Sequence, residues 1–510
     1  MSRSRSVLAL AAIAAALTGC QKSSNPSCSL AGGTQLATAP WPKFRADTAN
    51  TGRALNVEIA STDGVGAVLF ERHCSATVSV ACRSDADCLT ANGQERCVPK
   101  QCSVTTTRPC DVDADCPPKE TCVAPIGPVS TTPIIGPPST SGGATIYLGS
   151  SDGTAYVFDP PMGSAMFMDA MQVTGAIVGS PLLGLDGTLF VPGNGQLAQF
   201  NTDGSQKNLA VLTGLVAASP NIWEDGTVYV GTQSGLFNGI CPNGVGRFAP
   251  IILPPTQSTA AVVQDPNTTE VTSIEVFGTL GGQVRAFNIR GRTYWSFFAS
   301  ASVVSAVVID ETTNIFYAAD TSGRVFAGQL TSGALVSSFS FAAKAGITAS
   351  MALGRDSPTA PTVPSLYVAD QGGTLYALDR SSGAIRWTFQ ADGPISSSPA
   401  VATGGSADVI VFAADILEVL DPRIGPVAVD GLVYAVRDDG DQGTLLWTFD
   451  ANSSIGSSSP SIGADGTVYI GRAGTRLGSE TQCADRNGDG VPDPCLVNEG
   501  GACFAIPPRS

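Results

Sequence analysis

The residues best suited to bind a metal ion lie near the C-terminal end, in the loop between Cys483 and Cys495. Oxygen-bearing side chains alternate there around glycine, as the ligands of Ca²⁺ do. The candidate ligands are Asp485, Asn487, Asp489 and Asp493. The loop is not an EF-hand, because Leu496 stands at the twelfth position, where a bidentate glutamate belongs. We predict a calcium site; the alternative is an ordinary Asp/Gly turn without an ion.

The cysteines predict a small disulfide-rich module. Residues 74–122 contain two copies of one unit, whose cysteines follow nearly the same spacing. Neither copy has enough apolar residues for a core, so disulfides must stabilise both. If each copy pairs internally, three connectivities are possible within it. These cysteines are Cys74, Cys82, Cys88 and Cys97 in the first copy and Cys102, Cys110, Cys116 and Cys122 in the second.

Five further cysteines leave one thiol free or paired between molecules, because five is an odd number. They are Cys28, Cys241, Cys483, Cys495 and Cys503. Cys483 and Cys495 are predicted to form a local bridge that closes the calcium loop. Because disulfides persist in oxidising compartments, the chain is expected to be exported.

The first residues of the chain predict export and a lipid anchor. Arg3 and Arg5 precede an apolar run of about eleven residues, which suits a signal peptide and is too short to span a bilayer. The following Leu17-Thr18-Gly19-Cys20 resembles a bacterial lipoprotein box, which implies cleavage before Cys20 and lipidation of its thiol. Gln21 in place of an aspartate favours an outer-membrane lipoprotein, on the periplasmic or the surface-exposed face. The alternative is ordinary secretory cleavage nearby.

Other features argue against common function classes. The formal charge of −15 becomes about −17 without residues 1–19, which contain two arginines and no acid, so nucleic acid is not expected as a partner. The segment 149–153, Gly-Ser-Ser-Asp-Gly, matches the G-x-S-x-G pattern of hydrolases, but its context predicts a hairpin turn. The only histidine, His73, stands beside Cys74, so a serine triad would lack a suitable base. The sequence therefore predicts no catalytic residues.

A repeated β unit must position these features. Residues 367–401 show it most plainly, with short alternating strands separated by turns rich in Gly, Ser and Asp. Asp-Gly before Thr recurs at Asp186-Gly187, Asp225-Gly226 and Asp465-Gly466, and this pair tolerates the positive φ of a tight hairpin turn. Three hairpins in each unit give four strands.

Eight units can be aligned at the start of their first strand, with a period of roughly 47 residues. A single four-stranded sheet cannot bury both faces, so the units must pack against one another. We predict an all-β fold, an eight-bladed β-propeller with four-stranded antiparallel blades. Seven blades are the alternative, because some units lack the proline found at this position. The aligned positions are Pro133, Pro181, Pro220, Ala260, Ala306, Met351, Pro399 and Pro460.

The two ends of the chain are expected to complete one blade. The last unit has only its first two strands, while the strand-like segment GAVLFE at 66–71 precedes the first unit. Closure of this kind removes free sheet edges. The predicted organisation is a signal peptide (1–19), a tether (20–40), a propeller-closing segment (41–73), the cysteine-rich module (74–122), the propeller (125–473) and an acidic, cysteine-containing tail (474–510).

Two segments carry a family resemblance. LYALDRSSGAIRW at 375–387 and WPKFRADTANTGR at 41–53 resemble the pyrroloquinoline-quinone-type β-propeller repeat family, in which A-x-D-x-x-[TS]-G-x-x-x-W recurs from blade to blade. The resemblance implies that outer-strand tryptophans dock one blade against the next. The residues at that position are Trp295, Trp387 and Trp447. The calcium loop in turn resembles the thrombospondin type-3 calcium repeat.

The family resemblance leaves two functions open. Some members are quinone-dependent dehydrogenases, which hold the cofactor with a stacking tryptophan, in some cases an adjacent cysteine pair, and a carboxylate base beside Ca²⁺. This sequence has no adjacent cysteines, and no active-site residue can be matched to it. A periplasmic dehydrogenase that uses pyrroloquinoline quinone is therefore the alternative, and that cofactor is not expected.

We expect instead a lipid-anchored binding or scaffolding module of the cell envelope without catalytic activity. The enlarged unit at 402–444 and the cysteine-rich module would decorate the loop surface of a rigid propeller. Its partner would be an unidentified envelope or extracellular protein, and it would meet the membrane only through the lipid anchor. Calcium is the only cofactor that the sequence suggests.

Overall fold

In the computed structural model, the chain folds into a closed ring of β-sheets. The structure describes most of the chain from residue 127 to residue 507, together with an N-terminal segment. The described residues are Ala39, Trp41, 43–57, Ile59, 67–70, 72–74, 81–82, 97–98, 101–102, 122–123, 127–138, 144–159, 166–201, 203–268, 272–356, 364–421, 425–477, 496–498 and 502–507. Among them, no helix is long and apolar enough to cross a membrane.

Eight sheets form the blades of a β-propeller, which confirms the predicted fold class. Each blade is an antiparallel meander that runs from an inner strand beside the axis to an outer strand at the rim. The inner strands of blades 8 and 1 contact each other and close the ring.

The strands of blades 1 to 4 are, from the axis outward, Ile134–Pro138, Ala144–Gly149, Thr154–Asp159 and Met166–Gln172 in blade 1; Leu182–Leu183, Leu189–Phe200 and Gln206–Leu215 in blade 2; Asn221–Ile222, Val228–Gly231, Leu236–Ile240 and Ile251–Ile252 in blade 3; and Ala261–Gln264, Ser273–Gly278, Gln283–Asn288 and Thr293–Phe298 in blade 4. Blade 2 has three strands because its long middle strand pairs with the inner strand through its first half and with the outer strand through its second half.

The strands of blades 5 to 8 are Val308–Asp310, Ile315–Ala319, Arg324–Gln329 and Phe341–Ala342 in blade 5; Ala352–Leu353, Ser365–Ala369, Thr374–Asp379 and Ile385–Gln390 in blade 6; Ala400–Ala402, Val409–Asp421, Gly425–Asp438 and Gly443–Asp450 in blade 7; and Ser461–Ile462, Val468–Arg472, Ala502–Ile506 and Ala67–Phe70 in blade 8. Blade 7 gains a fifth strand, Arg53–Ala54, which pairs in parallel with its inner strand.

The Asp-Gly turns form as the sequence predicts, between the first and second strands of their blades. In blade 2 the Asp186 carboxylate accepts the backbone N–H of Thr188 at 3.0 Å, while Gly187 takes a φ of 80°. A side chain at this φ would be strained, so glycine sets the turn and aspartate caps it.

Blade 8 combines both ends of the chain. Its outer strand is Ala67–Phe70, within the segment that the sequence assigns to closure, and it pairs with Ala502–Ile506. That third strand also pairs with Val468–Arg472 and lies inside the segment that the sequence analysis treated as a tail. The propeller therefore extends to the last described residues, and it is closed by hydrogen bonds on both sides of one C-terminal strand.

Outer-strand tryptophans dock adjacent blades, as the resemblance implies. Trp295 of blade 4 donates its indole N–H to the backbone oxygen of Leu330 in blade 5 at 2.6 Å. Trp387 of blade 6 donates its indole N–H to the Asp438 carboxylate of blade 7 at 2.8 Å. It packs so closely on Gly443 that a Cβ there would lie 2.7 Å from the indole ring.

The ring has two distinct ends. We call the upper face the end at which the inner strands begin and at which the second strand of each blade turns into the third. The lower face is the opposite end, where first strands turn into second strands and third strands turn into fourth strands. This order follows from the antiparallel meander.

Only short strands of the cysteine-rich segment are described. Arg72–Cys74 pairs with Ala81–Cys82 and with Cys97–Val98, and Gln101–Cys102 pairs with Cys122–Val123. This register sets Cys74 opposite Cys97 and Cys102 opposite Cys122. The three internal connectivities of each copy stay open. Cys88, Cys110 and Cys116 lie outside the described residues, so the pairing stays a prediction.

Two further cysteines have defined states. Cys241 is disulfide-bonded. Cys503 is free and fully buried in blade 8, where burial raises the pKa of its thiol. Cys20, Cys483 and Cys495 lie outside the described residues, so the lipid attachment and the local bridge also stay predictions.

Candidate functional site

The axis of the ring is occupied by residues 41–54. Their backbone oxygens accept N–H groups from the inner strands of one blade after another. Trp41 accepts from Ile135 of blade 1 at 2.7 Å, and Gly52 accepts from Val401 of blade 7 at 2.9 Å. The intervening acceptors are Thr48 for Val262 of blade 4, Ala49 for Ile309 of blade 5 and Thr51 for Leu353 of blade 6. We call this segment the axial plug.

Polar side chains of the plug satisfy backbone oxygens that face the axis. Arg45 donates to the oxygens of Pro399 and Met351 at 2.5 and 2.6 Å, and Asn50 donates to the oxygen of Val307 at 3.0 Å. Lys43 donates to the side-chain oxygen of Asn50 at 2.7 Å. Burial lowers the pKa of Lys43 to about 7 and that of Arg45 to about 9. Both side chains are buried and stabilise the ring through these hydrogen bonds, so neither is exposed to a ligand.

A ring of small side chains lies above the plug, one in each blade. In six bonds of 2.9 to 3.2 Å, the backbone N–H at this position donates to the hydroxyl at the same position of the next blade. The positions are Thr132, Ser180, Ser219, Thr259, Ala306, Ser350, Ser398 and Ser459. These hydroxyls tie neighbouring blades together beside the axis.

This ring corrects one predicted alignment. The sequence analysis placed Ala306 at the start of the inner strand, in register with Met351. In the structure Ala306 donates to Ser350, so Ala306 matches Ser350, and Val307 matches Met351. The prediction was wrong by one residue because this unit lacks the proline that marks the position in other blades.

An axial cavity of about 350 Å³ opens toward the upper face. Its wall takes two residues from every blade, the member of the hydroxyl ring and the residue two positions before it, and Phe44 of the plug also lines it. The second set is Ser130, Val178, Ala217, Gln257, Val304, Thr348, Ser396 and Ser457. The lining is therefore neutral, with no carboxylate, thiol, imidazole or cation among these residues.

This lining does not fit pyrroloquinoline quinone. The cofactor carries carboxylates, and its reaction needs a base and a bound Ca²⁺. The cavity wall offers neither a cation for the carboxylates nor a carboxylate for the metal, and its aromatic group is Phe44 instead of a tryptophan. Trp295 and Trp387, the candidates for stacking, are committed to blade docking.

The G-x-S-x-G segment forms the upper-face turn between the second and third strands of blade 1. Ser150 is fully buried, and its hydroxyl donates to the backbone oxygen of Gly127 at 2.9 Å. A nucleophile elbow needs a strand-to-helix turn and an exposed hydroxyl. The segment therefore has a structural role, as the sequence predicts.

Three insertions leave the ring at its upper face, from blade 7, from blade 8 and from the connection between blades 8 and 1. The first extends the hairpin of blade 7 beyond Asp415, whose carboxylate accepts backbone N–H groups of Ile455 and Gly456 at 2.7 and 3.0 Å. Past this level the strands continue to Asp421 and from Gly425, and Leu417 and Val419 are 41% and 60% exposed.

The second insertion is a ribbon between the second and third strands of blade 8. Thr475–Leu477 pairs with Leu496–Asn498, and the former contacts the extended hairpin of blade 7. The candidate calcium ligands lie between these two strands in sequence. Asp485, Asn487, Asp489 and Asp493 themselves fall outside the described residues, so the metal site stays a prediction.

The third insertion is the cysteine-rich segment, which follows the outer strand of blade 8 and precedes the inner strand of blade 1. Its strand Ala81–Cys82 contacts Met166–Gln172, the outer strand of blade 1. The flanking strands end and begin at the upper face, so the segment leaves and re-enters the propeller there. The sequence identifies the enlarged unit of blade 7 and the cysteine-rich segment, but only the topology shows that the ribbon is an insertion within blade 8.

Two features of the site are absent from the sequence analysis. The plug was assigned to a propeller-closing segment, because nothing in WPKFRADTANTGR indicates that it passes inside the ring. The axial cavity was also missed, because the sequence analysis drew no conclusion from the small residues before each inner strand. The paired Ser and Thr positions before each inner strand are the signal that could have indicated a hydroxyl-lined channel.

Comparison with known proteins supports the fold. A family model described as outer membrane protein assembly factor BamB matches residues 323–482, which confirms the resemblance to the pyrroloquinoline-quinone-type repeat over that segment. No curated protein sequence matches the chain significantly.

Solved structures resemble the chain at low identity. The C-terminal WD40 domain of Sif2 matches with a TM-score of 0.53 and 12% identity, covering 75% of this chain and 97% of its own. The computationally designed Ika8 protein matches with a TM-score of 0.50 and 12% identity, covering 74% of this chain and 96% of its own. BamB from Moraxella catarrhalis matches with a TM-score of 0.49 and 14% identity, covering 73% of this chain and 95% of its own. At these identities the likeness concerns the fold alone.

Proposed function

We propose that this chain is a lipid-anchored β-propeller of the cell envelope that binds another protein through its upper face and has no catalytic activity. The observation that carries the proposal is the clustering of three insertions over blades 7, 8 and 1. Rigid scaffolds commonly carry binding residues on such loops. Exposed Leu417 and Val419 on the extended hairpin supply apolar contact area.

The remaining support concerns location. The lipoprotein box at Cys20 and the paired cysteines argue for export to an oxidising compartment. The matched family model is named for an outer membrane protein assembly factor, which gives a coarse link to the envelope. Barrel assembly itself is not carried over to this chain, because the match covers residues 323–482 alone and leaves out the whole cysteine-rich segment.

The dehydrogenase alternative lacks an observation in its favour. The axial cavity has a neutral wall, and the plug fills the axis beneath it. A titration with pyrroloquinoline quinone and Ca²⁺, followed by absorbance, should therefore show no binding. Stoichiometric binding with alcohol- or sugar-dependent dye reduction would make this chain an enzyme.

The binding surface can be tested with matched surface variants. Leu417→Ser with Val419→Ser removes two exposed apolar side chains from the upper face, and Ile252→Ser with Ile385→Ser removes two from the rim, where they are 83% and 54% exposed. Chains carrying each pair are cross-linked in cells and purified from the solubilised envelope. We expect the first pair to lose, and the second to keep, a cross-linked partner. An identical partner profile for wild type and both variants would sink the proposal.

The same cells test the anchor. A Cys20→Ala chain should move from the membrane to the soluble fraction, because its lipid attachment site is gone. A Cys20→Ala chain that stays with the membrane would show that the N-terminal cysteine does not anchor the protein.

A further inference from the structure

Basic side chains at the lower face are nearly all paired with carboxylates. Arg53 contacts Asp356 at 2.7 Å, Lys207 contacts Asp186 at 2.9 Å, and Arg355 contacts Asp408 at 2.7 Å. The other pairs are Arg247–Asp225, Arg380–Asp310, Arg386–Asp438 and Arg437–Asp439. The positive charge of these side chains is therefore largely neutralised by neighbouring aspartates.

Arg290 and Arg292 are the exception. Both lie in the lower-face turn between the third and fourth strands of blade 4, and both are exposed. Their backbone N–H groups donate to the side-chain oxygen of Asn288 at 3.0 Å, which fixes the turn. Among the described residues, neither guanidinium has an ion-pair or hydrogen-bond partner. Two neighbouring cations are therefore left unneutralised in a protein of net charge −15.

These arginines line a cavity of about 450 Å³ between blades 3 and 4, which we call the arginine pocket. Arg247 lines it as well and is held in place, because its Nε donates to the Ile289 oxygen at 3.0 Å and its Nη1 binds Asp225 and Thr227. Its Nη2 has no partner among the described residues. The hydroxyl of Thr272, also in the wall, is buried without a hydrogen bond.

Among the described residues, the acidic groups near the pocket are already engaged in hydrogen bonds. Asp265 is 3% exposed, and its carboxylate accepts the Tyr294 hydroxyl and the backbone N–H of Asn267. Glu275 lies beneath, bonded to Ser273, and burial raises its pKa to about 8. Among the described residues that line the pocket, three arginines therefore stand against one carboxylate, that of Asp265.

We propose that the arginine pocket binds a phosphate group. Guanidinium groups match the oxygens of phosphate in pairs, and three arginines line this pocket. The phosphate could be a lipid headgroup, since the plug enters the ring on this side of the axial cavity and the proposed anchor precedes it. It could equally be a small soluble phosphate.

The test uses the chain from Ser23, which retains every residue that the structure describes. Arg290→Gln with Arg292→Gln is compared with Arg324→Gln with Lys344→Gln, which replaces two exposed basic residues of the upper face, so that both variants lose the same charge. Thermal unfolding at the wild-type midpoint shows that each variant is folded. Inorganic phosphate is titrated by calorimetry, and co-sedimentation is measured with phosphatidylglycerol and phosphatidylcholine vesicles.

We expect the lower-face variant to lose at least tenfold in affinity and the upper-face variant to match wild type. Selective loss of inorganic phosphate binding supports a soluble ligand. Selective loss of binding to phosphatidylglycerol vesicles, without phosphate binding, supports a lipid headgroup. Absence of both in wild type, or equal losses in the two variants, overturns the proposal. These results are independent of the upper-face cross-linking, so either proposal can fail alone.

Discussion

The two junctions that flank blade 7 solve the same packing problem with different means. Between blades 6 and 7, Trp387 donates to Asp438, which also accepts the Tyr367 hydroxyl at 2.7 Å and pairs with Arg386 at 3.1 Å. Between blades 7 and 8, Trp447 is 5% exposed and packs in one core cluster with Phe504 and Ile506. Its indole N–H is buried without a partner among the described residues.

The difference follows from chain connectivity. At the two other junctions that have an outer-strand tryptophan, its acceptor lies where the third strand of the next blade ends and the turn to the fourth begins, as Leu330 and Asp438 show. In blade 8 the third strand comes from the C-terminal end and the fourth from the N-terminal part, so no turn joins them. Because two separate parts of the chain close the ring, the junction between blades 7 and 8 lacks the indole hydrogen bond and depends on apolar packing.

The largest expected effect is the loss of the C-terminal strand. A chain that ends at Asn498 lacks Ala502–Ile506 and its ladders on both sides, and Phe504 and Ile506 are 3% and 1% exposed. Burial of these side chains and the strand contributes roughly 5 kcal/mol or more, comparable with the stability of a whole domain. We expect the thermal transition to be lost.

A chain that ends at Pro507 is the control, because it keeps the whole strand. Circular dichroism and thermal scans compare the two. Equal transition midpoints would mean that blade 8 does not hold the ring closed.

A smaller effect separates the two tryptophans. Trp387→Phe removes a bond to a buried carboxylate and should cost about 1–3 kcal/mol. Trp447→Phe keeps most of the apolar contact and removes an unpaired N–H, so its cost should stay below about 1 kcal/mol. Urea unfolding of both variants measures the difference. Similar costs would show that Trp447 has an acceptor in the folded chain and that the junctions are alike.

The smallest perturbation uses the native thiol of blade 8. Cys503 is fully buried, and its raised pKa keeps it from forming the reactive thiolate. If the junction between blades 7 and 8 is weaker than the junction between blades 6 and 7, a thiol reagent should label Cys503 at urea concentrations below the global unfolding transition. Ala377→Cys in a Cys503→Ala chain places a thiol in the third strand of blade 6, where Ala377 is also fully buried.

Mass spectrometry of the two peptides gives the labelling rates. We expect the Cys503 peptide to be labelled first. Earlier labelling at position 377 would reverse the ranking of the junctions.

The sequence predicts the fold well because the turns carry it. Asp186-Gly187 and its equivalents set hairpins by local chemistry alone, and the aligned starts of the inner strands give the number of blades. Where local chemistry is weak, the prediction fails. One of the units without proline was aligned one residue off, at Ala306. The strand Ala502–Ile506 was missed because a ribbon separates it in sequence from the rest of its blade.

The candidate site is less predictable because it depends on partners that are distant in sequence. Lys43 and Arg45 look in the sequence like exposed charges of a linker, yet both are buried at the axis. Arg45 binds the backbone oxygens of Met351 and Pro399, which are more than 300 residues away in sequence. Arg290 and Arg292 stand out only when their neighbours' ion pairs are known. The gathering of the three insertions on one face likewise follows from the course of the strands.

The axial plug also determines how the protein responds to a mechanical load. Its backbone oxygens accept hydrogen bonds from the blades in the order of its own sequence, from Ile135 in blade 1 to Val401 in blade 7. A pull on the chain before Trp41 therefore reaches these bonds one after another, as in a zipper, instead of loading all of them in shear. Such a path yields at low force in small steps, until the pull reaches Arg45 and its two bonds across blades 6 and 7. The guanidinium at the centre of the ring is thus the point at which tension from the N-terminal side would be arrested.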